Sequence, residues 1–561
     1  PEIFLPRVNM VVLKPQSEYG HAPPPQTPYS IATNVAGWDN LRKVRDGDMS
    51  PMAGVVHIYP RFSPTHFVAQ LGQEIAKKVG IEGKGVMVYL NPIMVPYTRR
   101  HISLKYRREH VMKPEDLTIK VVDVAGHRVY AVLYNPAQMF GIMESWGQPG
   151  IGISIRGAEE LLKGIDTMSE VPFELDNLPE PTFTPESWAH AGLRDRIIEL
   201  VHRGTIDPGK VTCQSKDVFL HPTGMAAVYH TTNLLLKQRP GTAVVLGVVF
   251  HNTHHHLHEE SPNGFKHFGK VDKDGIDNME VWLEGEKTAQ RPVSFVIVEF
   301  PGNPTLESVD LHRLKKLSEK YGFILVVDDT IGSFANIDVF AQTDILLTSL
   351  TKSFSGYANV LGGSVVLNPQ SPHYSALATG FASTHKNELF SADAKVLLAN
   401  SNDFLARTRR LNSNAEAMAS FFQRYVSDPN SPVTNVQYPT LLPTKQNYTA
   451  VMRRSTPELP EPGYGCLFTV EFESTDLAKV FFDNCGFYST PHLGAHVTLM
   501  LGYNMLVYGR TEEDRTYFRE IGVKEEGIRF SAGLEDREDL IDTIKYALDF
   551  CAEAKKTGVK G

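Results

Sequence analysis

An α/β fold built on a mostly parallel sheet is what this sequence predicts, and three observations predict it. Between residues 217 and 348, short apolar runs alternate with stretches of helical length. The apolar runs are continuous, as strands are when helices cover both faces of a sheet. Side chains able to do chemistry gather where those runs end, and such sheets bind ligands at the C-terminal ends of their strands.

Residues 1–62 are rich in proline, glycine and aromatics, include Pro23-Pro24-Pro25, and show little periodicity. They read as an extended arm closing in Tyr59-Pro60-Arg61-Phe62. Residues 63–200 open with a helix over 64–79, where Phe67, Leu71, Ile75 and Val79 recur every fourth position after Ser63-Pro64. A strand is expected over 85–90. An inserted α+β segment then fills 91–186: strands over 118–124 and 128–135 around an Ala125-Gly126-His127 turn, helices over 137–146 and 156–162, and a proline-rich linker at 178–182. A second helix (193–201) and strand (217–220) repeat the earlier helix–strand order. The segment is therefore expected to interrupt a fold whose first helix leads into its first core strand. Arg99-Arg100-His101 and Arg107-Arg108-Glu109-His110 read as solvated faces.

Residues 201–425 form the large domain. Strands are expected over 217–220, 243–250, 293–299, 323–328 and 345–348, and helices over 224–237, 276–284, 310–321, 392–411 and 415–425. The run from His251 to Glu260 reads as an exposed polar loop at the mouth of a site. Its histidines lack a matching ligand set, so no metal is expected. Residues 426–561 make a smaller α+β domain after a proline-rich joint: strand 466–472, helix 475–484, strand 527–531, helix 536–554.

A chain of 561 residues suits two or three domains. With 42% hydrophobic and 21% charged residues it can bury a large core. The balance of 56 basic to 64 acidic residues, without a basic block, argues against a nucleic-acid partner and a polybasic membrane anchor. Cys213, Cys466, Cys485 and Cys551 are scattered, which fits neither a disulfide framework nor a zinc ribbon. With no apolar run near ~20 residues and no signal-peptide pattern, a soluble cytoplasmic protein is expected.

The strand over 345–348 runs into Ser349-Leu350-Thr351-Lys352, with Gly362-Gly363 behind it. A lysine there can be desolvated into a nucleophile that bonds a carbonyl cofactor, with Ser349 and Thr351 as phosphate ligands. The pattern points to pyridoxal phosphate (PLP); alone, it also fits a solvated strand-end lysine. Asp328 ends another apolar strand, where a carboxylate can keep a pyridine nitrogen protonated or cap the next helix. Asp329 competes, but should point the other way. Gly224 and Met225 open a helix whose free N–H groups suit an anion. Phe250 either stacks on a ring or packs in the core. Arg529, inside an apolar strand, holds either a substrate carboxylate or an internal partner.

Together with Tyr59-Pro-Arg61, Glu299-Phe-Pro-Gly-Asn303-Pro304 and Asp328-Asp-Thr330, these motifs fall in the same order along the chain as those of the Cys/Met-metabolism PLP enzymes and resemble them, particularly the fungal cystathionine γ-synthase form with its long insertion. The resemblance implies fold type I, the aspartate aminotransferase-like fold, and a homo-oligomer built as a dimer of dimers. It implies that Lys352 bonds the cofactor, Asp328 faces its ring nitrogen, and Gly224, Met225, Ser349 and Thr351 hold the phosphate. Asn303 would lie near the phenolic oxygen, and Tyr59 and Arg61 would reach the neighbouring subunit's phosphate. Arg529 would hold the α-carboxylate of an amino-acid substrate. Phe250 stands where the family has a stacking tyrosine, and His492 replaces a serine on the substrate side. Tyr357 and Asn359 replace a histidine and an aspartate. The implied reaction is γ-substitution on an O-acyl-L-homoserine, giving cystathionine with cysteine, as in methionine biosynthesis. Alternatives are a carbon or amine nucleophile in fungal secondary metabolism, a PLP-dependent C–S lyase, or a scaffold without cofactor.

Overall fold

The computed structural model describes residues 10–509 and 511–558; the first nine residues of the expected arm lie outside them. The arm is not extended throughout. Helix α1 (Trp38–Arg45) buries Trp38 and Leu41, and Trp38 packs edge-on against Phe482 at 5.6 Å. Two apolar side chains suffice here because the C-terminal domain supplies the opposing surface. Before α1 the chain runs along that same domain. Leu13 N–H donates to Thr543 Oγ1 (2.9 Å), Gln16 N–H to the Tyr488 hydroxyl (3.1 Å) and Val35 N–H to the Ser489 carbonyl (2.8 Å).

The next unit contains α2 (His66–Lys78), β1 (Gly85–Tyr89), α3 (Met94–His101), β2 (Thr118–Val124), β3 (His127–Tyr134), α4 (Met139–Gly147), α5 (Ile155–Lys163) and β4 (Ser169–Glu170). Its antiparallel sheet has the order β1-β3-β2-β4. Because β1 pairs with β3 along its whole length, and α2 packs into the same apolar cluster, the inserted unit starts well before residue 91. The apolar strand β1 finds its partner in the hairpin rather than in the large domain.

Helix α6 (Trp188–His202) leads into the large domain. Its elements are β5 (Val218–His221), α7 (Gly224–Gln238), β6 (Thr242–Leu246), α8 (His251–Glu260), β7 (Phe265–Phe268), α9 (Lys273–Thr288), β8 (Val293–Glu299), α10 (Leu311–Tyr321), β9 (Ile324–Asp328), β10 (Ile345–Thr348) and β11 (Gly363–Leu367). The sheet order is β5-β11-β10-β9-β8-β6-β7, and every pair is parallel except the two made by β11. Alternate residues enter two separate cores. Val244, Val296, Leu325 and Leu346 face one, and Val245, Ile297, Val326 and Leu347 the other, as a sheet covered on both faces requires.

Several expected boundaries move. Strand β6 stops at Leu246 because Gly247 adopts φ +77°, which frees Phe250 to precede α8. The helix expected over 392–411 divides at Asn400 into Ser391–Asn400 and Phe404–Gln423. Strands β7 and β11 were hidden by their shortness and by the glycines ahead of β11.

The run His251–Glu260 is helix α8, not an exposed loop. Thr253, His256 and Leu257 are buried, and Thr232 Oγ1 lies 3.0 Å from His256 Nε2. The basic clusters of the inserted unit are solvated only in part: Arg100, Arg108, Glu109 and His110 are exposed, but His101 is fully buried and Arg107 nearly so. His101 Nε2 lies 2.8 Å from Gln148 Oε1, Gln148 donates to Glu259 (3.2 Å), and the Tyr97 hydroxyl donates to Glu260 (2.6 Å). Arg107 pairs with Glu259 and Glu144, and Arg100 with Glu260. Neither segment has apolar periodicity. Each is held by charges more than a hundred residues away.

The C-terminal domain has strands β12 (Val433–Gln437), β13 (Leu467–Phe472), β14 (Tyr488–Ser489), β15 (Leu499–Leu501) and β16 (Gly527–Ser531) in the order β12-β13-β16-β15-β14. Helices Thr475–Asn484 and Arg537–Thr557 pack against each other beside it. Among the described residues, no helix is long and apolar enough to cross a membrane.

Candidate active site

Strand β10 ends at Thr348, and a tight turn carries the chain to Lys352. There the Nζ lies 3.4 Å from the Tyr59 hydroxyl and 5.0 Å from that ring's centre. Burial pulls the amine below the ordinary lysine range; Arg61 and Arg529 add to this, and Tyr59 opposes it. Burial works to raise the Tyr59 phenol, but Lys352 and Arg61 outweigh it and hold the phenol below its usual range.

At the start of α7, Thr223 caps the helix by accepting the Ala226 N–H (2.9 Å). The first-turn N–H groups have no intrahelical acceptor and suit an anion. A Cβ on Gly224 would stand 2.7 Å from Ser349 Cβ, so helix start and lysine turn close on each other. Thr351, expected beside the phosphate, donates its hydroxyl proton to the Gly362 carbonyl (3.2 Å) and accepts the Gly362 N–H (3.0 Å). Its hydroxyl fastens the lysine turn to Gly362.

Arg529, on β16, donates to Asn303 Oδ1 (3.1 Å) and to the Pro491 carbonyl (2.7 Å), and its guanidinium lies 3.9 Å from the centre of the Tyr503 ring. His492 follows Pro491 and is buried, and neither ring nitrogen has a hydrogen-bond partner. Burial, with Lys352 and Arg529 nearby, pushes its pKa well below the usual range, so the imidazole is neutral. Phe250 donates its N–H to Glu299 Oε1 (2.6 Å) and lies 5.2 Å beneath the Arg61 guanidinium.

The end of the arm lies beside Lys352 of the same chain, with Tyr59 against the amine and Arg61 over the Phe250 ring. Arg61 is buried, donates to the Gly147 carbonyl (2.7 Å), and is preceded by Pro60, whose carbonyl accepts the Trp146 indole N–H (2.8 Å). The inserted unit thus touches the site directly, which sequence gave no sign of. Tyr357 donates to Asp403 and packs under Arg407, and Asn359 Oδ1 accepts from Asn400. Arg407 in turn donates to the Ser353 carbonyl (2.8 Å), so this group braces the lysine loop from behind.

Residues 212–549 match the Cys/Met metabolism PLP-dependent enzyme family. The chain belongs to that family. It is 34% identical over 439 residues to an alanine racemase of Aspergillus violaceofuscus, covering 75% of this chain and 73% of that one. It is 29% identical over 557 residues to a cystathionine gamma-synthase-like protein of Aspergillus thermomutatus, covering 94% of each. Among solved structures, cystathionine gamma synthase from Xanthomonas oryzae pv. oryzae matches with a TM-score of 0.53 at 22% identity, over 67% of this chain and 89% of that one. The architecture is that of the fold type I PLP enzymes.

The side chains of this PLP-dependent enzyme fit the cofactor. Asp328 ends β9 in register with Glu299 and Leu347. Burial raises its pKa, its hydrogen bonds come from Thr330, and it has no ion-pair partner among the described residues. A buried carboxylate in that state lacks a positive group, which a protonated pyridine nitrogen supplies. Asp329 does not compete: Thr348 Oγ1 donates to its Oδ1 (2.6 Å). Tyr503 is the site residue that sequence missed. It follows a short apolar strand and nothing beside it in sequence marks it; only the fold sets it under Arg529.

Proposed function

We propose that this enzyme carries out γ-substitution on an O-acyl-L-homoserine, forming cystathionine when cysteine is the nucleophile. The supporting observation is the pair Lys352 and Tyr59, an amine and a phenol 3.4 Å apart, each held below its ordinary pKa range. Such a pair can pass a proton back and forth. γ-Substitution needs that, because protons leave Cα and Cβ in turn.

Lys352 would hold the cofactor, with Gly224, Met225, Ser349 and Arg61 toward its phosphate, Phe250 and Asn303 at its ring and Asp328 at its ring nitrogen. Bound PLP supplies the electron sink for a carbanion at Cα. Arg529 takes the substrate α-carboxylate on its remaining N–H donors. Lys352 removes the Cα proton. A Cβ proton leaves next, the Cγ–O bond breaks and releases a carboxylate, a Cγ–S bond forms as the thiol gives up its proton, and protons return to Cβ and Cα. The same site suits a carbon or amine nucleophile, or elimination without addition.

A second reading is proton exchange at Cα with inversion, favoured by the similarity to an alanine racemase. The test incubates the holoenzyme with O-acetyl-L-homoserine and a panel of thiols, amines and enolisable carbonyls, and separately with L-alanine in D2O. Products are identified by mass and chiral chromatography, with Lys352→Ala as control. Cystathionine or another Cγ adduct supports γ-substitution. α-Ketobutyrate and ammonia alone would make the enzyme a lyase, and deuterated D-alanine without any adduct would make it a racemase.

A further inference from the structure

We propose that His492 is a specificity-determining residue, whose ring N–H donates to the acyl carbonyl oxygen of the substrate ester. The inference rests on an O-acyl-L-homoserine as the substrate and names the side chain that reads its acyl group.

His492 lies in the turn 491–494, which is clamped between two elements of the site. On one side is β16: the Pro491 carbonyl accepts from Arg529 (2.7 Å), and the Gly494 N–H donates to Ser531 Oγ (2.9 Å). On the other side is the lysine turn. Gly494 takes φ +72°, and a Cβ there would stand 2.5 Å from the Ser353 backbone nitrogen and 3.1 Å from the Lys352 carbonyl carbon. Glycine alone permits both that conformation and that approach. Leu493 secures the turn in an apolar cluster with Leu306, Ile331 and Leu467. His492 is thus held between the arginine that takes the α-carboxylate and the lysine that removes the Cα proton.

Its side chain is built for a partner that arrives with the substrate. His492 is 2% exposed, and neither ring nitrogen has a hydrogen-bond partner among the described residues. A buried polar group is costly to leave unpaired. Burial and the charges of Lys352 and Arg529 keep the imidazole neutral, and a neutral imidazole offers one N–H donor. That donor suits an uncharged acceptor, whereas a second carboxylate or a phosphate is better held by a cation. With the α-carboxylate on Arg529, the uncharged acceptor of an O-acyl-L-homoserine is its acyl carbonyl. When the Cγ–O bond breaks, its electron pair stays on the ester oxygen and the acyl group leaves as a carboxylate. Negative charge grows on the carbonyl oxygen in that step, so the bond from His492 strengthens as the leaving group departs. The ring keeps its own proton throughout.

The test compares two analogues of O-acetyl-L-homoserine that have no leaving group, on the PLP-loaded enzyme. In the ketone analogue a methylene replaces the ester oxygen; the alkane analogue lacks the carbonyl oxygen as well. Titration followed by the visible absorbance of the cofactor gives a Kd for each. The preference for the ketone, taken as the ratio of the two constants, should fall at least about tenfold in His492→Phe, which keeps a planar ring without the N–H. His492→Asn keeps an N–H donor and should restore part of the preference. His492→Leu serves if the phenylalanine variant does not fold. In steady state, His492→Phe should also lose at least about tenfold in kcat with O-acetyl-L-homoserine. An unchanged ratio in His492→Phe would overturn the inference, because a ring that braces the lysine, touches the α-carboxylate or holds a water affects both analogues alike. So would failure of the wild-type enzyme to bind either analogue. Adducts at Cγ are followed separately. Adducts with an unchanged ratio strike the inference alone, whereas a ratio that collapses in His492→Phe without any adduct strikes the reaction and keeps the acyl subsite.

Discussion

The guanidinium of Arg529 lies 3.9 Å from the centre of the Tyr503 ring and beside two fixed acceptors, Asn303 Oδ1 and the Pro491 carbonyl. A desolvated cation over an aromatic face gains about 0.5–2 kcal/mol. Tyr503→Leu should therefore raise KM for the amino-acid substrate about 2- to 30-fold, with a smaller change in kcat. Tyr503→Phe keeps the ring and should stay near wild type. Steady-state kinetics on the three proteins check this; an unchanged KM in Tyr503→Leu would show that the two acceptors alone orient Arg529.

Gly224 has no room for a side chain. The missing Cβ would stand 2.7 Å from Ser349 Cβ, so Gly224→Ala must part the helix start from the lysine turn. PLP affinity, followed by fluorescence titration of the cofactor-free protein, should fall at least about tenfold, equivalent to about 1.4 kcal/mol. A wild-type Kd would mean that the closeness of these two elements does not serve the phosphate.

Asp329 makes a pH prediction. Burial pushes its carboxyl up to about 7, against the stabilising hydrogen bond from Thr348. An unfolded aspartate titrates near ~3.9. Between these values the folded state binds more protons than the unfolded state, so stability falls as pH rises from about 4 to about 7. Asp329→Asn keeps an acceptor for Thr348 without the charge. Its thermal midpoint should exceed that of wild type at pH 7.5, and the difference should shrink toward pH 4.5. Parallel wild-type and variant midpoints across this range would refute the assignment.

Arg107 is buried between Glu259 and Glu144. Burial already works to raise the Glu259 carboxyl, and Arg107 counters it. Arg107→Ala leaves Glu259 with Gln148 as a neutral partner, and should cost about 3 kcal/mol, the low end for a broken buried pair. Glu259→Gln in the same chain should restore part of that. Urea unfolding followed by tryptophan fluorescence, which Trp146 of the inserted unit reports, separates the variants. Equal midpoints for wild type and Arg107→Ala would show that the pair contributes nothing.

Much of the large domain was legible because its physics is local. Continuous apolar strands, Gly224 at a helix start and Asp328 at a strand end each announce themselves within a few residues. Strand β16 (Gly527–Ser531) has the expected bounds, and Lys352, Asp328 and Arg529 occupy the strand ends and strand interior where they were expected. The inserted unit was legible as strands and helices but not as a neighbour. Its arginines and histidines look like solvent-facing charge until Glu259 and Glu260 come against them. Helix α8 escaped for the same reason, since a run of histidines carries no apolar stripe.

By itself, then, the sequence determined the sheet, the PLP family and the nature of the central lysine, because the strand pattern and ordered motifs are written in neighbouring residues. The tertiary structure alone decided that Tyr59 lies beside Lys352, that Thr351 bonds Gly362, and that Tyr503 lies under Arg529. Those are distances between segments tens to hundreds of residues apart. They are set by buried charge pairs and backbone contacts whose partners meet only when the whole chain is folded.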